Sequence, residues 1–214
     1  GRKPEDILLC AACKTRTVEE VMASAELPID IFGENHVQEL VEKTDAGAYL
    51  GKPGHFIGHL QTNKVKKVVG RASLIQSVDS EHLALAIEKE AATRELQQDI
   101  LLEVNIGEES SKSGVNADGL WSLFESLLAT TPHLHIRGLM AIPPADASEE
   151  ETRRFFAKMR GLYEEAAQRY AGSVDMKYLS MGMSGDYPLA IAEGANIVRI
   201  GTAIYGARDY SAKK

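Results

Sequence analysis

The chain has 214 residues, 44% of them hydrophobic and 26% charged, with a formal net charge of −7. That is length enough for one well-packed domain, and the mild acidity gives no electrostatic reason to expect nucleic acid or an anionic membrane as partner. No apolar run reaches the length of a membrane span, GRKPEDILL lacks a signal-peptide pattern, and the two cysteines, Cys10 and Cys13, fall on opposite faces of one strand, so a reducing cytoplasm is expected.

Short β-type apolar runs alternate with longer amphipathic runs along the chain. The first run, Ile7–Cys13, precedes a helix opening at Thr17, where Thr17 and Glu20 form a T-x-x-E capping box. A second strand is predicted over Ile29–Phe32, with a helix from Asn35 to Thr44. A third, His55–Gly58, leads to a helix holding Asn63–Val69. A fourth, Leu74–Val78, is followed by a long helix capped by Ser80. A fifth, Ile100–Ile106, precedes a helix from Asn116 to Ala129. A sixth, Leu134–Ile142, leads to a capping box of Ser148 and Glu151. The seventh, Met176–Leu179, precedes a short helix around Pro188–Glu193, and Ile197–Ile200 is the eighth.

Eight strands with seven intervening helices predict a parallel sheet closed into a single (β/α)8 barrel domain over residues 1–214. An open doubly wound sheet fits less well. It usually carries a glycine-rich phosphate loop after its first strand, and KTRTVEE has no glycine. In a barrel the working residues lie at the C-terminal strand ends and in the loops beyond them. That rule selects Lys14, Asn35, His59, Asp79, Asn105, Met140, the run from Ser180 to Asp186, and the run from Arg199 to Thr202.

Lys14 ends an apolar strand and shares a face with Cys10 and Ala12. If that face points inward, a desolvated amine there can form a Schiff base. A strand-end lysine reaching to solvent is equally compatible with its position. LSMGMSGDYP (Leu179–Pro188) and the Gly201–Thr202 tip follow the last two strands, where this fold usually binds phosphate. Arg199 reads either as half of an ion pair inside the barrel or as a donor to a ligand at its mouth. His55 and His59 lack a third ligand, so no metal is expected. Lys64, Lys66 and Lys67 read as a solvated helix face. No nucleophile elbow, Walker loop or dinucleotide fingerprint is present.

Longer motifs run almost end to end: AACKTR around Lys14, FGENHVQE (Phe32–Glu39), HFIGHLQTNK (His55–Lys64), SVDS (Ser77–Ser80), LLEVNIGEESSKSG (Leu101–Gly114), RGLMAIPP (Arg137–Pro144) and LSMGMSGDYPLAIAEGANIVRIGTAIYG (Leu179–Gly206). In these the chain resembles the pyridoxal phosphate homeostasis proteins. The resemblance implies a barrel similar to the N-terminal domain of alanine racemase, fold type III among proteins of this vitamin B6 cofactor. It implies pyridoxal 5'-phosphate bound as a Schiff base on Lys14, with Asn35 near the ring's 3-hydroxyl. Ser184, Gly185, Gly201 and Thr202 would hold the phosphate, and Arg199 would face the pyridine nitrogen. His59, Met140 and Met181 complete the expected lining. An arginine cannot protonate that nitrogen as a carboxylic acid does, so carbanion chemistry would be damped.

The sequence departs from the family in a few places. Members usually open with a further helix before the GRKPEDILL segment; its apparent absence would expose the bottom of the barrel and weaken stability more than cofactor binding. Gly54 replaces a tryptophan often found before HFIGH, and Cys13 stands where serine is common, facing the outer helices as packing. The expected role is buffering the cofactor and delivering it to apo-enzymes, as a monomer without established catalytic activity. A racemase or lyase is the alternative, although no second catalytic base is evident. An aldolase-type Schiff-base barrel without cofactor comes third.

Overall fold

The computed structural model describes residues 2–109 and 112–206. Ser110 and Ser111 of the LLEVNIGEESSKSG motif, and residues 207–214, lie outside the described residues. Eight strands pair in parallel and in chain order: β1 Leu8–Ala12, β2 Ile31–Glu34, β3 Gly54–Phe56, β4 Leu74–Val78, β5 Gln98–Val104, β6 Leu134–Ala141, β7 Tyr178–Met183 and β8 Ile197–Ile200. β8 closes on β1 with Cys10 opposite Arg199 and Ala11 opposite Ile200, so the first and last strands end side by side.

The helices between them are α1 Val18–Ser24, α2 Val37–Asp45, α3 Val65–Val68, α4 Glu81–Thr93, α5 Leu120–Thr130, α6 Glu149–Arg169 and α7 Tyr187–Ala192, and a single turn α8, Thr202–Tyr205, follows β8. Both capping boxes form. The Thr17 and Ser148 hydroxyls accept from the Glu20 and Glu151 amides, while each glutamate accepts from its cap residue's N–H, satisfying donors that a helix start leaves open. Ser80 caps α4 through the Leu83 amide.

Strand side chains alternate between two cores. Those facing outward join the helices in the main core, with Phe56, Ile75, Leu102, Phe124 and Phe156 fully buried. Those facing inward make two small clusters without helical residues: Cys10, Ile31 and Ile197, and Leu74, Leu101 and Met140. Among the described residues no helix is long and apolar enough to cross a membrane.

Two strands sit later than the sequence predicts. β2 is Ile31–Glu34, not Ile29–Phe32, and β7 is Tyr178–Met183, not Met176–Leu179. Half of the LSMGMSGDYP segment is therefore strand. Its glycine and serine content reads locally as a turn, but ladder pairing to β6 and β8 overrides that preference. The register shifts between Ser180 and Met183, and Gly182 there takes φ +92° with its Cα against Ala190 and Tyr187, a conformation and clearance that favour glycine.

Candidate functional site

Lys14 leaves the C-terminal end of β1 half-buried. The strand stops because the chain turns at once: the Arg16 amide donates to the Cys13 carbonyl at 3.1 Å, and Thr15 adopts φ +66°. A β-branched residue in the left-handed region is strained and persists only where its surroundings hold it. Cys13 is fully buried among Ala11, Val21 and Phe32 on the outer side, as alternation expects.

Beneath this turn lies a buried ionic cluster. Lys43 of α2 is 1% exposed and Glu34 of β2 is 0% exposed. The Lys43 ammonium donates to Glu34 Oε1 at 2.9 Å, to Glu39 Oε2 at 3.2 Å and to the Cys13 carbonyl at 2.8 Å. Glu39 Oε2 in turn accepts from the Thr15 amide at 2.8 Å. Burial pushes the Glu34 carboxyl up to about 7 against the opposing pull of Lys43. The sequence reading missed this cluster. Glu39 and Lys43, four apart on the helix over Asn35–Thr44, were not singled out, and the shift in β2 had left Glu34 in a loop.

Arg199 is 4% exposed inside the barrel. It forms no ion pair among the described residues, so the expected alternative of an intrabarrel salt bridge is corrected. Its guanidinium instead donates to the Ser180 hydroxyl at 2.7 Å and the Ala141 carbonyl at 3.0 Å. Ser180 donates to Gln76 Oε1 at 2.6 Å, and the Gln76 amide meets His55 Nδ1 at 2.9 Å. Burial pulls His55 down to about 3, so its ring is neutral and accepts at Nδ1. A continuous chain of donors thus crosses the barrel interior from β8 through β7 and β4 to β3. Glu103 of β5, 9% exposed, shares this layer: burial pushes its carboxyl up to about 7, Asp79 adds to the rise and Arg199 opposes it. Glu103 is a buried carboxyl the sequence reading did not single out. Its only signal is a lone acid at an inward position of an otherwise apolar strand.

Ser184, just past β7, reaches across to α8, and its hydroxyl accepts from the Gly201 amide at 3.2 Å and the Ala203 amide at 3.4 Å. These amides stand at a helix start, where no intrahelical acceptor exists and Ser184 stands in, the kind of donor that binds phosphate oxygens. Lys14, Ala12, Gly201 and Thr202 line one narrow cleft of about 40 Å3 with Tyr205. Gly185 lies apart, with open space where a Cβ would stand.

Asn35 does not share the Lys14 cleft. With His36, His59, Gln61, Lys64 and Lys67 it lines a neighbouring polar cleft of about 680 Å3. Its backbone is fixed by Gly58, where an added Cβ would come within 2.1 Å of the Asn35 carbonyl oxygen. His59 stands at the rim, with Asp79 at 3.7 Å and Ser113 at 3.2 Å both on Nδ1, which is no serine-triad geometry because the two partners share one nitrogen. Met140 belongs to the buried interior layer below the mouth. Met181 is corrected: it is 0% exposed and packs in the outer core, because the β7 shift put it on the outward face. No group of three or more metal-ligating side chains occurs among the described residues.

The family model described as alanine racemase, N-terminal domain, matches residues 9–209. The pyridoxal phosphate homeostasis protein of Aquifex aeolicus is 43% identical over 98% of this chain and 91% of its own length. The chain belongs to the pyridoxal phosphate homeostasis protein family. Its counterpart in Escherichia coli (strain K12) is 38% identical over 100% of this chain and 91% of that protein. Among solved structures, PipY of Synechococcus elongatus, determined with PLP bound, matches with a TM-score of 0.86 at 32% identity, over 96% of this chain and 95% of that one. Alanine racemase of Clostridium difficile shares the barrel alone, with a TM-score of 0.75 at 18% identity over 57% of its length.

Proposed function

We propose that this chain binds pyridoxal 5'-phosphate as a Schiff base on Lys14 and serves homeostasis of the cofactor, buffering it and delivering it to apo-enzymes. One observation supports the reading: where β1 and β8 end side by side, Lys14 lines a cleft with Gly201 and Thr202, the helix-start amides of Gly201 and Ala203 are presented there, and the Arg199 guanidinium is buried in the adjoining strand. These are the three groups an aldehyde-bearing pyridine phosphate needs, so the residues fit the group. The names of the relatives and the PLP-bound PipY support the same cofactor.

Lys14 would supply the amine. Ser184, Gly201 and the Ala203 amide would hold the phosphate, with Gly185 and Thr202 flanking it. Asn35 would approach the ring hydroxyl from the adjoining cleft. Arg199 keeps its proton and can only donate, so it would orient the ring nitrogen without protonating it. Once bound, the cofactor supplies an electron sink for amino-acid carbon chemistry. We place the protein in the cytoplasm, where two unpaired buried cysteines would persist, and expect one monomeric domain.

The test is transfer. Protein loaded with the cofactor and cleared of excess is mixed with a PLP-dependent apo-enzyme, and recovered activity is followed. Recovery faster than from Lys14→Ala carrying the same total cofactor is expected; no recovery would contradict delivery. Racemase or lyase activity is the second reading, favoured by the near-neutral Glu103 beside Arg199. Amino-acid turnover in the loaded protein that disappears in Glu103→Gln would put it first.

A further inference from the structure

The turn that presents Lys14 is gripped from both sides. Cys13, before it, offers its carbonyl to the Lys43 ammonium at 2.8 Å. Thr15, after it, gives its amide to Glu39 Oε2 at 2.8 Å. The same Glu39 oxygen accepts from Lys43 at 3.2 Å, so one ion pair joins the two peptide groups that flank Lys14. Glu34, fully buried, anchors Lys43 from below at 2.9 Å. Burying a lysine and a carboxylate, with a second carboxylate partly covered, is costly, and such a cluster is weak support for stability alone. It does, however, answer a local need. The left-handed φ of Thr15 is strained and must be held by its surroundings, and without it the chain after Cys13 would continue as strand and swing Lys14 away from the Gly201–Thr202 tip.

We infer that Glu39 and Lys43 are positioning residues for Lys14, fixing the turn so that its amine faces the Gly201–Thr202 cleft. This rests on the assignment of Lys14 as the cofactor lysine. Lys43 itself is buried and pinned by three oxygens, out of reach of an aldehyde in the cleft.

Glu39 is the better probe, since its side chain is 23% exposed while removal of Lys43 would leave Glu34 buried and unpaired. Three full-length proteins are compared: wild type, Glu39→Ala and Glu39→Gln. Pyridoxal phosphate affinity is titrated in the visible, the adduct is fixed with borohydride and mapped by peptide mass spectrometry, and Lys14 acetylation is timed against exposed Lys66 and Lys67 in the cofactor-free proteins. Glu39→Ala is expected to lose affinity on the order of tenfold, the equivalent of one or two hydrogen bonds, and to acetylate faster at Lys14. Glu39→Gln keeps an oxygen for the Thr15 amide and is expected to stay within about twofold of wild type. A Glu39→Ala protein equal to wild type in both affinity and labelling would overturn the inference. If wild type forms no adduct at Lys14, the cofactor assignment falls separately, and the labelling alone then decides whether the grip on the turn exists.

Discussion

At the scale of single residues, the site combines groups whose protonation is set by burial. Arg199 has a hydroxyl and a peptide carbonyl for partners, and among the described residues no carboxylate is in contact with it. It is therefore available to a ligand's acceptor. Glu103 lies in the same layer and carries a cost. Its folded value, about 7, lies above the ordinary 4.5. The protonated form is favoured by the fold, so its contribution is fully present below about pH 4.5 and is lost as pH rises through about 7. Glu103→Gln removes that loss. The variant is expected to be more stable than wild type at pH 8, by roughly 1–3 kcal/mol from the size of the shift, and to match it at pH 4. Denaturant unfolding at both pH values checks this; a variant less stable at pH 8 would mean that ionised Glu103 is held by Arg199. His55 works in the opposite sense. Depressed to about 3 from 6.5, it loses stability as pH falls below about 6.5.

Elements place these residues, and the elements were legible to different depths. Every strand and every helix between strands could be read from alternation and capping boxes, because those signals are local. Where the reading slipped, tertiary pairing decided. β2 and β7 each run two or more residues further than their apolar runs, since hydrogen bonding to neighbours continues through Gly33, Glu34, Gly182 and Met183. The slip in β7 misdirected Met181, and the slip in β2 hid Glu34. The placement of Lys14, Ser184, Arg199, Gly201 and Thr202 at the strand ends and the loops beyond them was legible, because those positions follow from the strand pattern alone. The His55–Gln76–Ser180 chain was not, since it joins three strands that no local pattern links. The β2–β3 ends give a direct check. Gly58→Ala would force a Cβ against the Asn35 carbonyl. A loss of roughly 1–3 kcal/mol is expected from the overpacking, read by chemical denaturation; unchanged stability would mean that the loop after β3 is not seated as described.

Across the whole molecule, barrel closure is what makes a site from distant sequence. Lys14 and Arg199 are far apart in the chain, yet Cys10 and Arg199 face each other across the β1–β8 seam. Closure also explains why the helix-start amides of Gly201 and Ala203 lie near the lysine at the end of β1, with Ser184 bridging from β7. The barrel's inward layers are apolar below and polar above, so one end is packed and the other can receive a ligand. The account stands on Lys14 as the cofactor's attachment point. The most direct measurement is the visible absorbance of purified protein, wild type beside Lys14→Ala, with added pyridoxal phosphate, before and after borohydride. A yellow wild type, a colourless variant and a reduced adduct mapped to Lys14 are expected. A wild type that stays colourless, or an adduct on another lysine, would contradict it.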